Sequence, residues 1–484
     1  MAETPETDAK PMPRTQLIGL LTGLVLLAAT LVLPPPGELS ASAWAALGLM
    51  LLMAAWWATE AIPIPATSLV PIVLVPALGL GSVGDATAPY ANPIIFLFLG
   101  GFTLGLAMQR WNLHRRIALH ILLLVGTSPK RQIGGFMLAT AFLSMWVSNT
   151  ATTIMMMPIG LSVLAMMDTD GDSGGHRYAV ALLLAIAYSA SVGGIATLIG
   201  TPPNALLAAY LGDQQGISVG FAQWMVIGVP VALAMLLVIW WWLTRGDFGV
   251  GSGGEAGQAI RSELASLGPM GQAEIRVAIV FALTAAAWIF RPLLAETVTW
   301  LSDTVIAISA AVMLFLLRSG QRDGHALMDW DSARELPWGV LLLFGGGLAL
   351  AGVISSSGLA DAIAQSLSVL ETLPTLLMVG VVVLVIIFLT EVTSNTATAA
   401  AFLPLLGALA VSQGISPLLM TVPAAIAASC AFMMPVATPP NAIVFGSGHM
   451  AIGDMIRAGL LLNLVGIVLV TLLAYLLLGV AFSL

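Results

Sequence analysis

Apolar runs that approach the length of a bilayer crossing recur along the whole chain, among them Leu17 to Leu33, Met225 to Leu243, Val298 to Leu317, Leu376 to Leu389 and Leu460 to Leu478. Crossing roughly 30 Å of hydrocarbon takes about 20 helical residues. The charged residues that a water-facing surface would need are missing: they make up 8% of the 484 residues against 59% hydrophobic, where a soluble domain carries about a quarter. The solvent for this chain is lipid, and the fold expected is an all-α polytopic membrane protein.

The first run does not read as a cleaved export signal, because about ten further hydrophobic segments follow it and Pro34-Pro35-Pro36 offers no small-x-small cleavage pattern. Cys430 is the single cysteine, which rules out an intrachain disulfide or a cysteine-based metal cluster and leaves a small buried apolar filler. The net charge of -8 argues against nucleic acid as a partner and says little about a substrate held inside the bilayer.

Placing the N-terminus in the cytoplasm and alternating the segments puts every one of the sixteen Lys and Arg residues except Arg291 on the inner side. This is the asymmetry of the positive-inside rule, and it orients the C-terminus outward in a bacterial inner membrane. The count works only if two long apolar stretches enter and leave on the same side. They are Ile133 to Met166, broken at Ser148-Asn149-Thr150, and Leu376 to Val411, broken at Ser394-Asn395-Thr396. Both read as re-entrant helical hairpins. Two further segments read as broken helices, at Gly200-Thr201-Pro202-Pro203-Asn204 and Ala437-Thr438-Pro439-Pro440-Asn441, since adjacent prolines remove donors and disfavour helix before them.

The interruptions form an internal repeat. Ser-Asn-Thr-Ala-Thr occurs at 148 and 394, Thr-Pro-Pro-Asn at 201 and 438, and Gly-Gly at 100 and 345, in the same order in each half. The first hairpin opens from the cytoplasm and the second from outside, so the halves have inverted topology. Corresponding broken segments in inverted halves point to a substrate site near the midplane of a secondary transporter. The expected organisation is a disordered tail over 1–14, a first repeat over 15–243 (hairpin 129–166, broken helix 177–211), a cytoplasmic linker over 244–272 and a second repeat over 273–484 (hairpin 374–411, broken helix 417–446). That makes about 11 transmembrane helices plus two re-entrant hairpins.

Unwound backbone at membrane depth needs partners. A hairpin tip presents free carbonyls, which suit a hard cation, next to free amides at a positive helix end, which suit a carboxylate. Ser144, Ser148, Asn149, Thr390, Ser394 and Asn395 offer neutral oxygens, and Asn149, Thr150, Asn395 and Thr396 can donate to an anion. Calcium would recruit carboxylates and magnesium an octahedral, partly hydrated set, so sodium is the expected ion, at about two sites because the motif occurs twice. Glu60 and Glu391, embedded in apolar sequence, read either as proton carriers or as hydrogen-bonded carboxylates. Arg110 reads as snorkelling to the interface. Trp56, Trp57 and Trp240 to Trp242 read as interfacial anchors. None of the five histidines neighbours the serines of the tips, which argues against an intramembrane hydrolase.

Taken together, Trp56-Trp57-Ala58-Thr59-Glu60-Ala61-Ile62-Pro63, both Ser-Asn-Thr tips and both Thr-Pro-Pro-Asn breaks make the chain resemble, over nearly its whole length, the divalent anion/sodium symporters that carry succinate, citrate and related anions. The resemblance implies a homodimer whose protomers each have a scaffold domain and a transport domain moving as an elevator. It further implies one sodium site at Ser144, Ser148, Asn149 and Gly200, a second at Thr390, Ser394, Asn395 and Ala437, and substrate carboxylates at Asn149, Thr150, Asn395, Thr396, Thr438 and Pro439. The function expected is sodium-coupled symport of a C4-dicarboxylate such as succinate, malate or fumarate. The alternatives within transport are a proton-coupled or exchanging carrier and a sulfate transporter; a channel is the third.

Overall fold

The computed structural model describes residues 13–126, 128–166, 173–249, 254–321, 324–366 and 374–482. The sequence-expected tail over 1–14 lies almost wholly outside them, as does the Gly251 to Gly253 part of the linker. In chain order the helices are α1 (Arg14–Val32), α2 (Ala41–Thr59), α3 (Ile64–Thr67), α4 (Val70–Ala77), α5 (Val83–Thr87), α6 (Pro93–Arg110), α7 (Leu113–Val125), α8 (Pro129–Ser144), α9 (Asn149–Met166), α10 (Ser173–Ile195), α11 (Pro202–Gln215) and α12 (Phe221–Thr244). They continue as α13 (Gly254–Ser266), α14 (Gln272–Leu294), α15 (Asp303–Leu316), α16 (Trp330–Ala333), α17 (Trp338–Ser356), α18 (Leu359–Ser366), α19 (Thr375–Thr390), α20 (Asn395–Ser412), α21 (Leu418–Ala428), α22 (Pro439–Phe445) and α23 (Ile452–Phe482). No strand longer than an isolated bridge between Arg318 and Ala326 occurs among the described residues.

Ten stretches are long and apolar enough to cross a membrane, and four more apolar helices are shorter. Two of the short ones, Thr375–Thr390 and Leu418–Ala428, are the first arms of a break, and at 1.5 Å per residue they reach only about 24 and 17 Å, less than the roughly 30 Å of a bilayer core. The two-proline motifs locate the breaks. Pro202-Pro203 and Pro439-Pro440 occupy the first turn of α11 and α22, where the missing amides are no loss. The unwound residues therefore lie before the prolines, over 196–201 and 429–438.

Two groups of helices result. The helices α8 to α12 and α19 to α23 pack among themselves, and across the halves: α11 lies on α20, and α22 lies on α9. The helices α1 to α6 and α14 to α17 form a second group, joined where Gly100 lets α6 approach the backbone of Ala307 on α15 and where Gly346 of α17 lies against Ser68, while α7, α13 and α18 pack along the first group. Trp57 sits in this second group with 1% exposure, its Nε1 donating to Ser68 Oγ. It is a core residue, not the interfacial anchor its position near a border suggested; Trp241, 60% exposed, keeps that role.

Arg110 pairs with Asp329 at 2.5 Å and donates to Ser332 Oγ at 2.8 Å, so the side chain expected to snorkel to the interface is also a tether between α6 and the start of α16. The Arg110 guanidinium, aided by the Ser332 amide, holds the Asp329 carboxyl down to about 2. A depressed carboxylate pKa contributes above its ordinary value near ~3.9 and is lost only as pH falls through about 2, so this tether is constant at any physiological pH. The linker carries a helix of its own: α13 packs on α7 and α9, and Arg115 pairs with Glu263.

Arg116 of α7 holds Glu274 of α14 in a two-pronged contact at 2.5 and 3.2 Å, with side-chain exposures of 14% and 8%. Removing one partner of so buried a pair leaves the other uncompensated, at a cost of about 3 kcal/mol or more. Arg116→Met is expected to lower the thermal midpoint of the detergent-solubilised protein markedly, and Arg116→Met with Glu274→Met to recover part of the loss. Additive losses in the double variant would show that the two residues act separately.

Candidate functional site

The hairpin arms meet at tips where the chain turns without helix, over 145–148 and 391–394. At the first tip, Ser144 Oγ donates to Asn149 Oδ1 at 2.5 Å and to the carbonyl of Ala190 at 2.6 Å. With its amide turned by half a revolution, Asn149 would instead donate to Ser144 Oγ at 2.5 Å, Ala190 O at 3.0 Å and Gly200 O at 3.3 Å. The position held by that side-chain atom is thus surrounded by oxygens. When the amide oxygen occupies it, four neutral oxygens converge with a single hydroxyl proton among them, a set that attracts a cation.

The second tip repeats the arrangement. Thr390 Oγ1 donates to Asn395 Oδ1 at 2.7 Å and to Ala428 O at 3.0 Å. Behind each tip an asparagine pins the unwound segment. Asn204 Nδ2 donates to Gly194, Ile195 and Thr197 carbonyls at 3.2, 3.3 and 2.8 Å, and Asn441 Nδ2 to Ala431 and Met434 carbonyls at 3.1 and 3.0 Å. The reversals are tight. A Cβ on Gly194 would lie 2.8 Å from Asn149 Oδ1 and 2.9 Å from Gly200 O.

Of the residues singled out in the sequence, Ser144, Asn149 and Gly200 meet in the first cluster, and Thr390 and Asn395 in the second. Ser148 caps its own turn, accepting from the Ala151 amide at 3.3 Å. Ser394 is the N-cap residue of α20 and makes no capping bond with its side chain. Ala437 is buried and donates its amide to Met434 O. Thr150 and Thr396 are half-buried in the first turn of α9 and α20, where free amides and the positive helix end face outward. Thr438 is buried and accepts from the Asn441 amide at 3.3 Å, and Pro439 beside it is exposed. The two halves touch here: Thr201 Oγ1 lies 3.5 Å from Ser429 Oγ, and Tyr188 donates to Phe432 O at 2.7 Å.

The two glutamates separate. Glu60 ends α2 in the left-handed region at φ 48 and is exposed, remote in character from a buried relay. Glu391 is 3% exposed, and its carboxylate receives amides of Phe432, Met433 and Met434 and the Asn463 side chain, all at 3.1 Å or less. Of the two sequence readings, hydrogen-bonded carboxylate is the one this geometry fits. Sequence reasoning missed the carbonyls of Ala190 and Ala428 and the pinning role of Asn204 and Asn441. The carbonyls carry no side-chain signal, but the asparagines stood in the repeated motif. Two cavities of about 490 and 660 Å³ lie elsewhere, one beside Arg110 and Arg116 and one beside Asp85 and Asp213, and neither is lined by tip residues.

Apolar spans with paired oxygen clusters at helix breaks are the features of a membrane transporter. A family model described as the sodium:sulfate symporter transmembrane region matches residues 14–481. The chain is 45% identical over 473 residues to the sodium-dependent dicarboxylate transporter SdcS of Staphylococcus saprophyticus, covering 95% of this chain and 91% of that one, and 42% identical over 479 residues to SdcS of Staphylococcus aureus. It belongs to the divalent anion/sodium symporter family. The crystal structure of the Alcanivorax borkumensis YdaH transporter shares the fold, with a TM-score of 0.54 at 14% identity over 97% of this chain and 99% of that one.

Proposed function

We propose that this protein is a sodium-coupled symporter of a C4-dicarboxylate such as succinate, malate or fumarate. The observation that carries the reading is the duplicated cluster of neutral oxygens, Ser144, Asn149, Ala190 and Gly200 in one half and Thr390, Asn395 and Ala428 in the other. One sodium ion binds at Ser144, Ser148, Asn149 and Gly200 and a second at Thr390, Ser394, Asn395 and Ala437. The substrate carboxylates are met by Asn149, Thr150, Asn395, Thr396, Thr438 and Pro439.

Coupling follows from electrostatics. A dianion entering a pocket of neutral dipoles gains little until cations fill the adjoining clusters, and each ligand then raises the affinity for the other by the same factor. Asn149 and Asn395 belong to both ligand sets, so ordering the amide oxygen toward sodium turns the amide nitrogen toward the anion. The packing of α8–α12 with α19–α23 across the two halves supports an elevator in which that group slides against the remaining helices, in a homodimer. The assignment of every Lys and Arg except Arg291 to one side when the segments alternate supports an inner-membrane protein with re-entrant hairpins, a cytoplasmic N-terminus and an external C-terminus.

Proteoliposomes test this. Labelled succinate should enter under an inward sodium gradient and stay out when potassium replaces sodium. Uptake driven by a pH gradient or by counter-substrate alone would overturn sodium coupling. Because the matching family model carries sulfate in its description, sulfate is included as a competitor; displacement of succinate by low sulfate would shift the assignment to an inorganic oxyanion.

A further inference from the structure

Glu391 follows Thr390 at the end of α19, and neither ligand set described above uses it. Its oxygens accept from the amides of Phe432 at 2.7 Å, Met433 at 2.9 and 3.1 Å, and Met434 at 2.9 Å, and from Asn463 Nδ2 on α23 at 2.7 Å. Three consecutive amides turned toward one carboxylate cannot also serve a helix. The helix α21 accordingly stops at Ala428, the residue whose carbonyl takes the Thr390 hydroxyl. In a continuing helix the Phe432 amide would have donated to that same carbonyl, four residues back. By drawing the amide away, Glu391 leaves Ala428 O facing the second cluster.

The first half is built otherwise. Met145 follows Ser144 and has no acceptor side chain, and α10 runs on past Ala190 to Ile195. There it is a hydroxyl, Thr197 Oγ1, that ties the reversal to the tip by donating to the Met145 carbonyl at 2.6 Å.

We propose that Glu391 is a positioning residue that shapes the second cluster before any cation arrives, so that the site at Thr390 and Asn395 is the tighter of the two and fills first. This inference rests on reading both clusters as sodium sites. The clamp acts in two ways. It spends no cation binding energy on ordering residues 432–434, because their amides are already satisfied by the carboxylate. The groups that surround the carboxylate are neutral dipoles, so its charge still favours a cation nearby, a contribution that Met145 cannot make.

The test is equilibrium binding of radioactive sodium to the full-length purified protein without substrate, together with hydrogen exchange of the backbone. The unmodified protein should show a tight and a weak component. Thr390→Ala should remove the tight one and Ser144→Ala the weak one. Glu391→Gln, which keeps the shape but loses half of the acceptors, should weaken the tight component about tenfold, the scale of hydrogen bonds to a charged group, and leave the weak one in place. In sodium-free buffer the amides of Phe432 to Met434 should exchange faster in Glu391→Gln and regain protection when sodium is added. Asn463→Ala removes one donor and keeps the carboxylate, so it should move the tight component in the same direction by less; it also serves if Glu391→Gln does not fold. If Thr390→Ala removes a component while Glu391→Gln and Asn463→Ala leave it unmoved, or move the weak one instead, the inference is wrong and the sodium sites stand. If neither Thr390→Ala nor Ser144→Ala alters sodium binding, the reading of the clusters fails.

Discussion

Asn149→Asp and Asn395→Asp are each expected to reduce sodium-driven anion uptake by more than 100-fold while leaving sodium binding intact or tighter. The carboxylate keeps the oxygen that Ser144 or Thr390 meets but replaces the amide donor with a fixed negative charge. Two like charges about 5 Å apart at an effective dielectric of about 20 repel by roughly 3 kcal/mol, and the lost donor bond adds to that. At the first tip the new oxygen would sit among Ser144 Oγ, Ala190 O and Gly200 O, a set with a single hydroxyl proton that a cation relieves. The opposite movement of the two ligands is what separates this outcome from simple misfolding. Initial-rate uptake in proteoliposomes alongside sodium binding on the same preparation reads both, and undiminished uptake by either variant would sink the site assignment.

The second large effect concerns Gly200. A Cβ there would approach the Gly194 carbonyl more closely than the 3.0 Å that real Cβ atoms essentially never breach. The obstacle is backbone, in a buried reversal that Asn204 pins from behind, so no flexible side chain can give way. Relief has to come from widening the turn, at about 1–3 kcal/mol, and that moves the Gly194 and Gly200 carbonyls away from Asn149. Gly200→Ala should therefore raise the sodium concentration for half-maximal uptake at least about tenfold. Gly212→Ala, where an added Cβ meets nothing within 4 Å, should not. Alanine already stands at 437, the matching place in the second half, so that reversal accepts a Cβ. Sodium titration of uptake decides the matter; a Gly200→Ala curve that overlays the unmodified one would mean the first reversal is not a cation site.

Much of this architecture was legible in the chain. The apolar runs dictated helices because an amide left unpaired in hydrocarbon is costly, and the Ser-Asn-Thr and Thr-Pro-Pro-Asn motifs marked the breaks because both recur, in the same order, inside such runs. Periodicity could not place the unwound residues relative to the prolines, because proline suits the first turn of a helix as well as the end of one. Nor could it separate Trp57 from Trp241, both next to a border in sequence and at 1% and 60% exposure in space.

By itself, then, the sequence determined the solvent, the helical class, the position of the four breaks and the oxygen-bearing side chains at the tips, because each of these follows from local composition. Tertiary structure alone decided which carbonyls join those side chains, that Asn204 and Asn441 hold the reversals, and that Glu391 is clamped by the Phe432–Met434 amides. Every one of these depends on backbone groups that look the same in any residue and acquire a direction only when distant segments, such as 390 and 428, are brought within a hydrogen bond of each other.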